Sequence, residues 1–258
     1  MSLQLSHPLL SYLRLRRTRA ILGCFAAVSL MVVAFPAVDL QVSRLFFDGR
    51  FYMADQGWSR LLHASVTWFV AGSVGLAAAV YGFNRLSGGK LWGIDGKRLV
   101  YLLLVLAFGA GFVVNGMFKS EFGRARPRDI AEFGGTAHFT PAYVPSSNCS
   151  RNCSFSSGDG AGAFFALAFA ATANRRRAVR TAAVSFGVLV SAARIASGAH
   201  FLSDTAVSFF VMLIVSDALH YRMYQFAPAR PVGLLPPEPA GIPAAVLVRA
   251  AGKVPAHP

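Results

Sequence analysis

The sequence is poor in charge, and acidic residues are the rarest of its charged residues. Asp, Glu, Lys and Arg make up 14% of the 258 residues, whereas about a quarter is usual for a soluble domain. Lys and Arg together number 25 against 11 Asp and Glu, which gives a formal net charge of +14. So low a charge density excludes an ordinary water-soluble enzyme, because much of the surface has to face something other than water.

Cysteine is also scarce, and histidine lacks a metal-binding pattern. The three cysteines are too few for a disulfide framework to hold the fold. Six histidines are present, at positions 7, 63, 138, 200, 220 and 257. They show no metal-ligand spacing, and the surplus of cationic side chains opposes the binding of a cation. We therefore expect no metal and no other cofactor.

Long apolar runs are what the chain has in abundance. Hydrophobic residues make up 55% of the chain, and a helix needs about 20 predominantly apolar residues to cross a bilayer. We interpret six runs as spans: 20–38, 61–83, 99–118, 160–173, 181–196 and 201–219. The fourth is short and rich in Ala and Gly, which suits a helix packed inside a bundle. No segment alternates like a strand, so the predicted fold is an all-α polytopic membrane helix bundle of about six transmembrane helices.

The basic residues cluster between alternate runs, which fits membrane topology better than a nucleic-acid-binding face. The clusters lie within 14–19, 85–98, 175–180 and 222–230. The positive-inside rule places these segments and both termini in the cytoplasm. The first run begins like a signal peptide but lacks a small-x-small cleavage site, so we expect it to be retained.

These assignments divide the chain into three parts. We expect a basic N-terminal segment at 1–19, a membrane domain at 20–222 and a disordered Pro/Ala-rich tail at 223–258. The segments 39–60 and 119–159 then lie on the side of the membrane opposite the cytoplasm.

Three polar clusters stand at the predicted outer ends of the spans, in 119–127, 153–160 and 194–204. In the third, His200 and Asp204 are four residues apart on a helix and share a face. A carboxylate on one imidazole nitrogen fixes the tautomer and leaves the other nitrogen free as a nucleophile. The basic residues Lys119, Arg126 and Arg194 supply donors that match the equatorial oxygens of a transferring phosphoryl group.

The second cluster starts a helix with Ser157 and Gly158, whose backbone N–H groups can bind an anion. Taken singly, each cluster has an ordinary explanation, such as a helix start for Ser157 or interfacial anchoring. Interfacial anchors would include Lys119, Arg124, Arg126 and Arg128. Together, on one side of the membrane, the clusters predict a phosphate site with a histidine nucleophile.

The clusters resemble the type 2 phosphatidic acid phosphatase (PAP2) superfamily, whose signature is Lys-x6-Arg-Pro, then Pro-Ser-Gly-His, then Ser-Arg-x5-His-x3-Asp. The first part matches from Lys119, and the third matches through His200 except that Ala193 replaces the serine. The second part departs, because Asp159 stands where the family has a histidine that is thought to protonate the leaving oxygen. The resemblance implies a PAP2/haloperoxidase-like helical core. The departure leaves the general acid open between Asp159, His138 in the same outer loop, and neither.

Residues 111–127, 148–159 and 198–204 are similar to bacterial lipid A 4'-phosphatases, a branch that also carries an acidic residue at this place. This resemblance implies hydrolysis of the 4'-phosphate of lipid A, through a phosphohistidine, on the periplasmic leaflet of the inner membrane. It also implies less binding of cationic antimicrobial peptides. Cys149 and Cys153 would lie in an oxidising compartment, where a disulfide and two free thiols both remain open.

Other substrates and another class of protein also stay open at this point. Undecaprenyl diphosphate, phosphatidylglycerophosphate and phosphatidic acid are the alternative lipids. A non-enzymatic transporter needs a polar path through the bundle, and no charge lies in the middle of a predicted span, with Asp217 a borderline case. The expected partner is a lipid substrate, with no nucleic acid and no obligate protein partner.

Overall fold

The computed structural model describes residues 8–54, 56–173 and 176–226, and this part of the chain consists of helices and loops. Its only strand-like pairings are two isolated bridges, Phe47–Phe51 and Ile130–Ala137. The helices are α1 Pro8–Leu13, α2 Arg16–Ala34, α3 Ala37–Arg44, α4 Gly57–Ser87, α5 Gly96–Glu121, α6 Gly158–Phe164, α7 Ala166–Thr172, α8 Arg176–Ala196 and α9 Leu202–His220. The predicted all-α class is confirmed. The predicted tail lies outside the described residues from position 227 onward.

Five helices of the described part are long and apolar enough to cross a membrane, namely α2, α4, α5, α8 and α9. They coincide with five of the six predicted runs, and the chain is a multi-pass membrane protein. Local signals set their ends. Gly88 follows α4 in the left-handed conformation, with φ of 69°, and the Asp95 side chain accepts a hydrogen bond from the Arg98 backbone N–H at the start of α5.

The fourth predicted run differs from the other five. It folds as two consecutive seven-residue helices, α6 and α7, which meet at Phe165. The small residues of α6 allow close packing, since a Cβ added to Gly162 would lie 2.6 Å from Cγ1 of Val66 in α4. The run is therefore a buried inner element, shorter than the five spanning helices around it.

One end of the bundle, which we call the polar end, brings together the end of α5, the start of α6 and the turn between α8 and α9. The turn depends on Gly198, whose φ of 65° is left-handed and whose missing side chain leaves room for the Phe51 ring. The backbone N–H of Arg128 donates to the Gly198 carbonyl at 3.1 Å and ties the loop after α5 to this turn.

Loops and the short helix α3 cover the polar end. A small apolar core within this layer contains Phe51, Ile130, Phe133 and Phe201. The ring centroids of Phe51 and Phe133 are 5.2 Å apart in an edge arrangement. This core fixes the loop between α5 and α6 over the helix ends, and that loop supplies Arg124, Arg126, Asn152 and Ser154 to the site described next.

Candidate active site

His200 lies in the turn between α8 and α9 and is 1% exposed. Its Nδ1 is 2.9 Å from the carbonyl oxygen of Ser154. A carbonyl only accepts, so the proton is on Nδ1, and Nε2 carries the lone pair. Burial lowers the pKa of His200, and the nearby carboxylate of Asp204 opposes this effect. The ring is therefore held in one tautomer, which leaves the Nε2 lone pair free for a reaction.

Asp204 lies beside His200 but is not its nearest acceptor. Its Oδ2 is 3.6 Å from Nδ1 of the imidazole, while the same oxygen accepts hydrogen bonds from Ser154 Oγ at 2.5 Å and from the Phe201 backbone N–H at 2.8 Å. The sequence predicted that this carboxylate would hold the tautomer directly. In the structure the Ser154 carbonyl does so, and Asp204 places a buried negative charge next to it.

The charge of Asp204 is balanced by Arg124, which is 1% exposed. Nη1 of Arg124 is 2.6 Å from Oδ1 of Asp204, and Nη2 is 2.8 Å from Oδ2 of Asp39. The guanidinium carbon also lies 4.1 Å from the centre of the Phe201 ring. Interfacial anchoring of Arg124 is therefore wrong, because the side chain points into the protein and links two carboxylates.

Asp39 is a member of this buried network that the sequence analysis did not single out. Its one signal in the sequence is its place directly after the first apolar run. The structure shows it 3% exposed, and a buried carboxylate needs a cationic or hydrogen-bonding partner. Besides Arg124 it accepts hydrogen bonds from the backbone N–H and the hydroxyl of Ser203, at 2.9 and 2.5 Å.

Lys119 and Arg126 meet at one residue, Asn152. Nζ of Lys119 donates to the Asn152 side-chain oxygen at 2.8 Å, and Nη2 of Arg126 donates to the Asn152 backbone oxygen at 2.9 Å. Burial, together with the positive charges of Arg128 and Arg194, lowers the pKa of Arg126. Positive charge is thus concentrated at this point, as an anion-binding site requires.

Asn152 sits in a loop closed by the disulfide between Cys149 and Cys153, whose Cα atoms are 5.6 Å apart. Asn152 has φ of 52°, a left-handed conformation that asparagine tolerates better than most residues. The bridge therefore holds the residue that orients Lys119 and Arg126.

Gly158 brings the second cluster against the first. A Cβ added to Gly158 would lie 3.0 Å from Oδ1 of Asn115 and 3.2 Å from Nζ of Lys119, so Gly158 packs directly against both side chains. Ser157 is engaged within the protein: its N–H donates to the Asp204 carbonyl at 3.2 Å, and its Oγ accepts from the Gly160 N–H at 3.0 Å. Ser157 thus starts α6 and ties it to α9, while Gly158 is the member of the predicted pair next to the cationic groups.

Asp159 joins the third cluster to a residue that the motifs did not include. Its Oδ2 is 2.9 Å from Nε of Arg194, and its Oδ1 is 3.0 Å from Nδ1 of His63 in the second turn of α4. His63 is 96 residues away in the chain, so no local pattern indicated it. The alternative acid His138 is exposed, and among the described residues no contact joins its side chain to the groups above.

The arrangement combines a neutral, buried imidazole with three cationic side chains at one end of a membrane bundle. Among the described residues, no group of three or more His, Cys, Asp or Glu side chains is placed to hold a metal ion. The surplus charge is positive, and Lys119, Arg126 and Arg194 each lie at least partly buried. Such an arrangement has the chemistry needed to bind a phosphoryl group and to present a nucleophile to it.

Comparison with known proteins points the same way. The model of the PAP2 superfamily matches residues 98–227. A lipid A 4'-phosphatase of Francisella tularensis subsp. novicida (strain U112) is 30% identical over 222 residues, which cover 81% of this chain and 99% of that protein. A lipid A 4'-phosphatase of Rhizobium etli is 29% identical over 231 residues, covering 80% of this chain and 89% of the relative. No solved structure gives a significant match.

Proposed function

The chain belongs to the PAP2 superfamily, and from this premise we propose that it hydrolyses the 4'-phosphate of lipid A on the periplasmic leaflet of the bacterial inner membrane. It is a phosphoric monoester hydrolase, as its relatives are. One observation carries the mechanism. His200 is buried with its proton on Nδ1, next to cationic side chains suited to a phosphate.

The first chemical step is transfer of the phosphoryl group to His200. Nε2 attacks phosphorus in line, the N–P bond forms, and the bond from phosphorus to the sugar oxygen breaks. The three cationic side chains of Lys119, Arg126 and Arg194 stabilise the negative charge on the equatorial oxygens. The leaving oxygen takes up a proton, and the sugar hydroxyl departs.

The second step is hydrolysis of the phosphohistidine by water. Phosphorylation at Nε2 makes the ring more positive while Nδ1 keeps its proton. The Ser154 carbonyl and the Asp204 carboxylate, 2.9 and 3.6 Å from Nδ1, stabilise that charge in the intermediate. Water then attacks phosphorus and returns His200 to its neutral state.

Two features support a periplasmic site. The disulfide between Cys149 and Cys153 lies at the polar end, and disulfides persist in the oxidising periplasm. The basic turn between α4 and α5, with Arg85, Lys90 and Lys97, lies at the opposite end of these helices and is expected in the cytoplasm.

The substrate and the reaction are tested in one assay. Purified protein is incubated with bis-phosphorylated lipid A, undecaprenyl diphosphate or phosphatidylglycerophosphate, each with a chelator present, and the products are identified by mass spectrometry. We expect lipid A to lose its 4'-phosphate, with a His200→Ala variant inactive although inserted in the membrane. Preferential hydrolysis of either other lipid would overturn the substrate, and substantial turnover by the variant would overturn the nucleophile.

Removal of a phosphate also has a consequence for the cell surface. Lipid A with one phosphate fewer carries less negative charge, so cationic antimicrobial peptides bind it less strongly. Cells that carry the gene are expected to survive higher peptide concentrations than cells with the His200→Ala allele.

A further inference from the structure

A proton donor for the leaving oxygen is missing from the mechanism above. The sugar alkoxide is a poor leaving group, so efficient cleavage needs an acid within hydrogen-bonding reach. At the position where the PAP2 signature has histidine, the chain has Asp159. The donor is therefore either Asp159 or a residue that Asp159 brings to the site.

The contacts of Asp159 argue against its acting as the donor itself. Arg194 Nε lies 2.9 Å from one carboxylate oxygen, and His63 Nδ1 lies 3.0 Å from the other. The guanidinium always carries its protons and favours a negative carboxylate beside it. Arg194 therefore forms an ion pair with one carboxylate oxygen. An ionised carboxylate only accepts, so a hydrogen bond between Asp159 and His63 is one that the imidazole donates.

His63 has the geometry of an acid oriented by a carboxylate. Its Nδ1 is engaged with Asp159, which directs Nε2 away from that carboxylate. Its side chain is 53% exposed, so the ring is accessible to a substrate entering at the polar end. The same carboxylate also contacts Arg194. Only the side chain of Asp159 therefore separates His63 from a group that is proposed to bind phosphate.

We propose that His63 is the general acid of this phosphatase, held by Asp159, and that it replaces the histidine missing from the second motif. This rests on the proposed function. As the bond from phosphorus to the sugar oxygen breaks, the His63 imidazolium gives its Nε2 proton to that oxygen and becomes neutral. In the second step it accepts a proton from the water that attacks the phosphohistidine, and the imidazolium is restored.

Other charged groups surround His63. Asp159 of α6 contacts it, and Arg194 of α8 contacts Asp159 in turn. Arg60 precedes it by three residues in α4 and is exposed. Lys119 of α5 lies against Gly158, next to Asp159 in the chain. All of these charges act on His63, so a change of pH would not isolate its role. The decisive test therefore compares leaving groups at one pH.

The test compares esters that differ in their need for an acid. Octyl phosphate and lipid A release alkoxides, which require protonation, whereas 4-nitrophenyl phosphate releases an anion that is stable without a proton. For His63→Asn in the full-length protein we expect kcat on the two alkoxide esters to fall by about 10²–10⁴-fold. Hydrolysis of the nitrophenyl ester should be little changed.

The matched control is His138→Asn, because His138 is an exposed histidine of the loop between α5 and α6. It should leave all three rates unchanged. A second measurement adds free imidazole to His63→Ala, and we expect it to restore hydrolysis of octyl phosphate but not to accelerate the wild-type protein.

The outcomes separate this inference from the proposed function. Equal losses on all three esters in His63→Asn, or no loss on the alkoxide esters, would overturn the role of His63. A wild-type protein that hydrolyses octyl phosphate but not lipid A would overturn the substrate proposal. The leaving-group comparison would still decide the role of His63 in that case.

Discussion

The guanidinium of Arg124 donates to the carboxylate of Asp204 over 2.6 Å, and both side chains are buried. In the mechanism proposed above, the same carboxylate stabilises the positive charge that develops on His200 during phosphoryl transfer. The catalytic histidine and the packing of the polar end therefore depend on one ion pair. The other terminal nitrogen of the same guanidinium, Nη2, contacts the carboxylate of Asp39.

Replacing Arg124 with Met is expected to destabilise the protein by about 3–5 kcal/mol, because two buried carboxylates lose their cation. Thermal unfolding in detergent should show the loss directly. Arg128→Met is the control, since the Arg128 side chain is 48% exposed and its nearest carboxylate, Asp129, is 3.8 Å away. Equal stability of the two variants would contradict a structural role for Arg124.

The low pKa of His200 predicts how the first step depends on pH. An ordinary histidine becomes protonated as the pH falls through about 6.5, whereas the imidazole of His200 becomes protonated only at a lower pH. On the acid side, the rate of enzyme phosphorylation in a single turnover should therefore decline only at a pH below that value. A rate that already halves near the ordinary value would show that His200 is not desolvated during the reaction.

The same shift affects stability in a defined direction. Below about pH 6.5 the unfolded chain takes up a proton at His200 that the folded protein does not, so the free energy of unfolding falls as the pH falls. The His200→Asn variant lacks this contribution. We expect the difference in unfolding temperature between wild type and variant to change as the pH is lowered from 7 to 5, in the direction that disfavours the wild type.

Lys119 and Arg126 are expected to act in the transition state. Replacing either with Ala should lower kcat by about 10²–10³-fold, as is usual when one donor to developing charge is lost. Arg128→Ala removes a neighbouring, exposed cation and should cost far less. Steady-state kinetics on lipid A and on 4-nitrophenyl phosphate should give the same ranking, since both transfer a phosphoryl group. A change confined to KM would indicate ground-state binding only.

The disulfide is expected to support the orientation of Lys119 and Arg126. The double variant Cys149→Ser, Cys153→Ser frees the loop that carries Asn152, so kcat/KM should fall while the helices remain folded. Cys24→Ser is the control, because Cys24 is an exposed free thiol in α2. An Asn152→Ala variant removes the side-chain oxygen that holds Lys119 but keeps the backbone oxygen that holds Arg126, so it should reproduce part of the loss. Full activity of the double variant would show that the loop holds its conformation without the bridge.

Local features of the sequence determined the helical class, the five long apolar helices and the three polar clusters. Each depends on a short stretch of chain: an apolar run has the length of a bilayer, and His200 and Asp204 are only four residues apart. The structure places Asp204 in the first turn of α9 and His200 in the turn before that helix. The fourth run was apolar enough to be predicted as a span, yet its helix is broken at Phe165. Its buried position follows from packing against α4 and α8, which hydropathy does not report.

Only the tertiary structure decided which side chains meet. Arg124 pairs with Asp39 and Asp204 over separations of 85 and 80 residues, and His63 meets Asp159 across 96 residues. The acceptor of His200 is a backbone carbonyl, a group that every residue possesses and no motif singles out. Such contacts depend on how whole helices pack and where loops cross them, whereas spacing along the chain constrains only residues within a turn or two of one another.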